Sequence, residues 1–344
     1  MTFNLPPLSA PPLLSVVIVT FDSGRTLERC LTALKAQSFP SFEVILADNG
    51  SNDGAAHTAA AADPNIRLMP MGGNLGFAAA NNRAAAAAHG RWLVLLNPDA
   101  YARPDWLAEL VAIAGAYPDV SCFTSRQLMA ATPELLDGAG DAMTAAGFPF
   151  RAGYGRPDAP FMPAGEVFSP CGAAMMIDRT LFLDIGGFDE SFFCYCEDVD
   201  LGYRLQLLGH PVMLAPRAVV LHEGSASTGG RRSAFSVFHG VRNRLWTFAK
   251  NTPPVLFWTL LPAHAALTLA QWLASALRGD GEAMGKGLKA ALERLPEIWR
   301  QRQALHAKRV AGSLTIAPRL VWNPLGALQR QARVRPRAEA PPSS

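Results

Sequence analysis

The chain has 344 residues, 49% of them hydrophobic and 17% charged, which is enough apolar material for a sizeable core and excludes disordered and disulfide-scaffold classes. Its 31 Lys+Arg and 28 Asp+Glu almost cancel at +3, yet residues 251–344 hold 13 basic against 5 acidic side chains, which leaves the first 250 residues net acidic. The five cysteines, Cys30, Cys122, Cys171, Cys194 and Cys196, form no C-x-x-C pair and no zinc-site spacing, and fit a reducing compartment.

Residues 1–14 are Pro-rich and lack the basic start and apolar run of a signal peptide, so they read as a leader. From Ser15 the chain alternates short apolar runs with helical stretches. SVVIVT predicts a strand; Leu27, Cys30, Leu31 and Leu34 then share one helix face, with Asp22 or Ser23 as cap; EVILA predicts the second strand. IRLM (66–69), an Ala-rich helix over about 76–89, and WLVLLN (92–97) continue the order. Strands this uniformly apolar are buried on both faces, as in a parallel sheet covered by helices. Pro104 suits the first turn of a helix whose stripe is Leu107, Leu110, Val111 and Ala114. Residues 126–168, rich in Gly and Pro, read as long loops or short strands. CGAAMMID (171–178) predicts another strand, and Leu201, Leu205 and Leu208, with Gly209 at the stop, predict a helix starting near Glu197-Asp198. VMLA and AVVL read as a last pair of strands that deliver His222 to a strand end.

In open α/β sheets ligands bind beyond the carboxyl ends of the strands, which makes Phe21-Asp22, Asp48-Asn49 and Asn97-Pro98-Asp99 candidates. Glu197, Asp198 and Asp200 follow the aromatic segment FFCYC. They read either as acids that favour a helix macrodipole or as a general base whose pKa is lifted by apolar surroundings and like charges. Asn-Pro-Asp is a turn, or an oxygen ligand for magnesium or manganese on a diphosphate. His222 is a packed histidine or a ligand. GGNLGFAAANN places glycines before a helix but lacks the G-x-G-x-x-G spacing of a dinucleotide site.

SVVIVTFDSGRTLERCLTALKAQSF, ILADNGSNDG, NLGFAAANN, LVLLNPDA, CGAAMMIDR, GGFDESFFCYCEDVDLGYRLQLLGH and LHEGSAST occur in this order over roughly residues 15–250. Together they make the chain resemble glycosyltransferase family 2, and within it the rhamnosyltransferase-type members. The resemblance implies an α/β GT-A fold, a Rossmann-like mixed sheet flanked by helices. It places the nucleotide-sugar half at 15–100 and the acceptor half at 101–250. Thr20, Phe21, Asp22, Asp48, Asn74, Asn82, Asn97 and Asp99 would then surround the donor. Asp99 and His222 would hold Mg2+ or Mn2+, and Asp198 would be the base, with Glu197 beside it. Phe21-Asp22 departs from the usual Tyr-Asn, and Glu223 stands where a small or basic residue is commoner.

The implied reaction is metal-dependent, inverting transfer of a sugar, taken as rhamnose from dTDP-rhamnose, to a hydroxyl of a lipid-linked glycan of the cell envelope. The Q-x-x-R-W motif of processive synthases is absent, so one or a few sugars per acceptor are expected. One rival is a nucleotidyltransferase, which would carry a Gly-rich phosphate loop where FDSGRT has a single glycine. The other is a non-catalytic, membrane-bound nucleotide-sugar-binding protein.

Residues 251–277 carry no Asp, Glu, Lys or Arg and are long enough to cross a bilayer, but Pro262, His264 and Gln271 interrupt them. A single crossing would also separate the basic segment after Leu277 from the catalytic half, although both favour the cytoplasm. Met284, Leu288, Leu292, Leu295 and Trp299, among Lys286, Lys289, Arg294 and Arg300, predict an interfacial helix on anionic lipid. Residues 251–330 are therefore expected to form a helical region held monotopically or re-entrantly on the cytoplasmic face of the bacterial inner membrane, with 331–344 a basic, disordered tail. The same apolar run could instead pack on the protein or join an oligomer. Nucleic acid is not an expected partner.

Overall fold

The structure is a computed structural model that describes residues 11–159, 162–224, 233–279 and 281–337. The first ten residues of the expected leader, residues 225–228 of LHEGSAST and residues 338–344 of the expected tail lie outside the described residues.

The alternation expected from the apolar runs is present: β1 (Leu14–Thr20), α1 (Gly24–Lys35), β2 (Phe42–Asp48), α2 (Ala55–Ala62), β3 (Ile66–Pro70), α3 (Gly76–Ala87) and β4 (Trp92–Leu96). β1 lies parallel to β2 and β4, and β2 parallel to β3. Side chains leave a strand to alternate faces. Val16 and Ile18 therefore meet Leu27, Leu31 and Leu34 of α1 on one side, while Val17 meets Ala80 and Ala84 of α3 on the other. Burial on both sides is why these strands read as continuous apolar runs.

Next come β5 (Ala100–Ala102), α4 (Trp106–Ala116), β6 (Cys122–Met129), β7 (Thr132–Gly138), β8 (Asp141–Met143), β9 (Pro149–Arg151), β10 (Gly165–Val167), β11 (Ala174–Asp178), α5 (Arg179–Asp184), α6 (Glu197–Leu207) and β12 (Val212–His222). Residues 126–168 thus supply short strands as well as loops. β11 runs antiparallel to both β4 and β6, and β12 is parallel to β6. The sheet is mixed, because two-sided burial demands apolar residues but does not set strand direction. The expected last pair of strands is one strand, β12, whose register shifts between Ala215 and Val219. Pro216 lies in that interval and has no N–H for the ladder, so the strand bulges there and continues.

From Ser233 the described chain is helical: α7 (Ala234–Asn251), α8 (Pro254–Arg278), α9 (Gly281–Glu293) and α10 (Leu295–Lys308). The single interfacial helix expected over 284–299 is two helices, divided at Arg294. Pro296 sits in the first turn of α10 and disfavours helical backbone just before it. The apolar stripe is divided as well: Met284 is buried, whereas Leu292 and Leu295 are exposed.

α8 is turned the opposite way from an ordinary surface helix. His264, Thr268 and Ser275 are buried against the protein, and Arg244 of α7 donates to Thr268 Oγ1 (3.1 Å) and to Gln271. Val255, Trp258, Leu267, Leu269, Leu273 and Leu277 point outward. The turn between β8 and β9 rests on this helix: His264 Nδ1 donates to the Ala146 carbonyl (2.7 Å), and the Arg244 guanidinium lies 3.9 Å from the Phe148 ring centre. Part of the expected disordered tail is ordered. β13 (Arg335–Pro336) pairs with β10, where Arg335 and Arg337 meet the acidic Glu166 on the sheet edge.

Candidate active site

The ends of β1 and β4, the start of α3, the loop before β11, the start of α6 and the end of β12 surround a cleft of about 770 Å3. Phe21, Asn74, Asn97, Asp99, Glu197, Asp198 and His222 all line it.

Two loops meet at one end of it. Asn49 Nδ2 donates to Asn74 Oδ1 (3.0 Å), Leu75 N donates to Asn49 Oδ1 (2.9 Å), and Gly76 N donates to Asn74 Oδ1 (3.0 Å). Gly50 makes this approach possible: its φ is +86°, and a Cβ there would lie 2.9 Å from the Gly73 backbone. Thr20, Asp22 and Asp48 stand behind or beside the lining. Thr20 is fully buried, and Asp48 accepts from Ser51 N (3.1 Å). Asp22, held at φ 47°, accepts from Asn52 N (2.7 Å). Asn82 does not line the cleft. Its amide ties α3 to the Phe188 backbone in both directions (2.8 and 2.9 Å) and reaches Glu190.

Asn97-Pro98-Asp99 is both a turn, closed by Ala100 N donating to the Asn97 carbonyl (3.1 Å), and the carrier of a buried carboxylate. His222 Nε2 lies 3.3 Å from Asp99 Oδ1 outside hydrogen-bond alignment, while Nδ1 donates to Asp137 Oδ2 (2.7 Å). Burial pushes the imidazole pKa down, but the Asp137 and Asp99 carboxylates outweigh it and raise the pKa. A buried nitrogen aimed beside a buried carboxylate, both at the wall of an open cleft, is a donor pair that fits Mn2+ or Mg2+ whose other ligands are phosphate and water. Glu223 does not intrude. It accepts from Tyr101 Oη (2.7 Å) and from Arg29, whose guanidinium lies over the Tyr101 ring.

The acidic end is built on strained backbone. Phe193, Tyr195 and Cys196 have φ of 66°, 68° and 64°, which costs about 1–2 kcal/mol for each L residue. α7 holds the segment: Asn243 Nδ2 reaches the carbonyls of Phe192 (2.9 Å), Cys194 (2.7 Å) and Tyr195 (2.7 Å), and Arg242 donates to those of Ser191 and Phe192. The chain then enters α6 with Glu197 and Asp198 facing the cleft. Gly172 N donates to Asp198 Oδ2 (2.9 Å) and Val199 N to Oδ1 (2.8 Å). Burial raises the Asp198 pKa against these two N–H groups and Arg151, which lower it. Burial and then the neighbouring Asp198 carry Glu197 well above the carboxylate range. Asp200 turns inward to Arg204 Nε (2.8 Å), Lys250 Nζ (2.7 Å) and Asn251 Nδ2 (2.8 Å), so within EDVD the structural reading applies to this residue.

Asp141, Cys171 and Asp198 also bring ligand atoms within 4.8 Å of one another. Burial pushes the Cys171 thiol up to about 12, and the Arg151 guanidinium acts on all three groups, so a cation is less favoured here than at Asp99 and His222. Asp137, Asp141, Arg151 and Asn243 are absent from the residues selected by sequence. The acids of DGAGD (137–141) were the available signal for the first two; Asn243, in a helix and bonded to backbone, offered none.

The profile of glycosyl transferase family 2 matches residues 15–186. The N-acetylglucosaminyl-diphospho-decaprenol L-rhamnosyltransferase of Mycobacterium tuberculosis is 34% identical over 245 residues, spanning 63% of this chain and 78% of that protein. Among solved structures, GalNAc-T7 with UDP, GalNAc and Mn2+ superposes with a TM-score of 0.57 at 18% identity, covering 70% of this chain and 48% of that one. The mannosyltransferase PcManGT of Pyrobaculum calidifontis with GDP-Man and Mn2+ gives 0.53 at 20% identity, covering 89% and 88%.

Proposed function

Because the chain belongs to glycosyltransferase family 2 and is a glycosyltransferase of GT-A fold, we propose that it moves L-rhamnose from dTDP-rhamnose to a hydroxyl of a polyprenyl-diphosphate-linked amino sugar in cell-envelope synthesis. The observation that supports this reading is that the Asp99–His222 pair and the Asp198 carboxylate line one cleft.

The reaction is a single displacement with inversion. The acceptor oxygen attacks the anomeric carbon, the bond to the diphosphate breaks, and Asp198 takes the acceptor proton. Asp198 suits this task because its two backbone N–H bonds favour the ionised form while burial makes that form a better base. Burial and Asp198 raise the Glu197 pKa, so its protonated form, which could donate a hydrogen bond to the acceptor, is favoured over that of an exposed carboxyl. A divalent cation on Asp99 and His222, when bound, offsets the charge of the departing nucleoside diphosphate. Asn49 and Asn74 hold the loops at the nucleotide end. No side chain need act as nucleophile.

The lipid-linked acceptor is met at an anionic membrane. The outward apolar side chains of α8 support this, with exposed Arg278, Lys286, Lys289, Arg294 and Arg300 nearby in the chain. Buried positions recur along α8 from Leu256 to Ser275, which favours lying on the surface over crossing it. Release of dTDP from dTDP-rhamnose, with and without polyprenyl-diphospho-N-acetylglucosamine, tests the reading. Release that requires acceptor supports it; equal release from other nucleotide sugars and none from dTDP-rhamnose removes the assigned donor.

A further inference from the structure

We propose that Asp137, backed by Arg151, is a positioning residue that fixes the cleft-facing nitrogen of His222 and thereby sets how tightly a divalent cation is held. The proposal rests on the reading of Asp99 and His222 as the cation pair. His222 closes β12 and is 3% exposed, and Asp137, near the end of β7, is equally buried. An imidazole has two nitrogens, and the one that donates to a carboxylate carries the proton. With Nδ1–H given to Asp137 Oδ2 (2.7 Å), the neutral imidazole has its lone pair on Nε2, beside Asp99 at the cleft wall, and a cation bound there would take the place of the second ring proton. The bond to Asp137 also fixes the plane of the ring, so that the lone pair points in one direction.

Arg151 of β9 bonds the same Asp137 oxygen and keeps that carboxylate from rotating away. The path of Arg151 is itself provided for. A Cβ on Gly138 would lie 2.7 Å from Arg151 Cγ, so the glycine beside Asp137 leaves room for the guanidinium stem. Arg151, Asp137 and His222, from three strands, thus form a chain that ends at the cation position. Nothing in the role proposed for the donor or the acceptor requires Asp137, and it does not line the main cleft.

The test is titration of the full chain with Mn2+ alone, followed by electron paramagnetic resonance. Spin-echo detection of nitrogen bound to the metal supplies a readout that a merely structural residue would not move. Asp137→Asn, which keeps the volume and one acceptor oxygen, is expected to weaken Mn2+ binding about 10–100-fold and to diminish the nitrogen signal. His222→Ala should abolish that signal. Mn2+ affinity in Asp137→Asn within about twofold of the parent, with His222→Ala strongly impaired, overturns the role of Asp137 and leaves the cation pair standing. A parent that binds no Mn2+, or a His222→Ala variant that binds as the parent does, overturns the cation pair and the proposal with it. If Asp137→Asn does not fold, Arg151→Lys replaces it: severalfold weaker Mn2+ binding supports the chain, and unchanged binding overturns it.

Discussion

Replacing Asp198 by Asn keeps the shape of the side chain and removes its capacity to accept a proton. The two carboxylate oxygens receive N–H groups from Gly172 and Val199, and an amide offers one oxygen and one NH2. One of these donors must then face a nitrogen, at a cost of about 1–3 kcal/mol, partly offset because burial already disfavours the carboxylate. The expected loss of turnover is much larger than that cost implies for folding, on the order of 10²–10⁴-fold, or roughly 3–5 kcal/mol at the barrier. Donor affinity should stay near that of the parent, because neither the Asn49–Asn74 bonds nor Asp99 depends on a hydrogen bond to Asp198. Steady-state release of nucleoside diphosphate at saturating acceptor, with calorimetric donor binding, reads both quantities. Glu197→Gln is the control: an amide keeps a hydrogen-bond donor at this position, where burial disfavours the carboxylate, and turnover is expected within about tenfold of the parent. Turnover of Asp198→Asn within tenfold, or a larger loss in Glu197→Gln, refutes the assignment of the base.

Asn243→Ala removes the group that reaches three carbonyls of the left-handed segment; Phe192 keeps its bond from Arg242, while the Cys194 and Tyr195 carbonyls lose this donor at about 1–3 kcal/mol each, and thermal unfolding should shift down accordingly. Turnover should fall in the same variant while the donor KM holds, because Glu197 and Asp198 follow directly. Asp141→Asn should stabilise the fold. Burial and Asp198 hold this carboxyl well above its ordinary pKa, so the acid's contribution is fully present below the usual carboxylate range and is lost as pH rises toward the folded value. The gain in melting temperature over the parent should therefore grow from pH 4 to neutrality, and a gain independent of pH contradicts this account. Trp258→Glu with Leu273→Glu should weaken co-sedimentation with anionic vesicles by at least about tenfold, because each side chain gives up roughly 1.5–3 kcal/mol of apolar burial. Turnover on a short, water-soluble acceptor should not change.

Much of the catalytic half was legible in the sequence because its chemistry follows strand ends. Uniformly apolar strands announce a covered sheet, and the residues just after them, Phe21 and Asn97-Pro98-Asp99, can only emerge at its edge. Asp198 was legible through its aromatic prefix and helix start. Asp137, Asp141 and Arg151 were not, because they sit on strands of three to seven residues whose pairing comes from distant partners and leaves little periodicity. Asn82 illustrates the opposite case, a polar residue inside a suggestive motif that pins α3 to the Phe188 backbone and does not line the cleft, and Asp200 shows that the structural role left open for EDVD falls to the acid that anchors buried Lys250 and Arg204. The direction of α8 was illegible for another reason. Its few polar residues look like interruptions of an apolar run, until His264, Thr268 and Gln271 are found bonded on one side.

The turn between β8 and β9 is seated on His264 of α8 and Arg244 of α7, and β9 carries Arg151 into the cleft. The outward-facing helix and the strand that carries Arg151 are therefore joined through that one turn. Breaking the His264–Ala146 bond would therefore loosen the turn that leads into a strand lining the cleft, so a substitution on this outer helix can reach the site through the backbone without touching any residue of its wall.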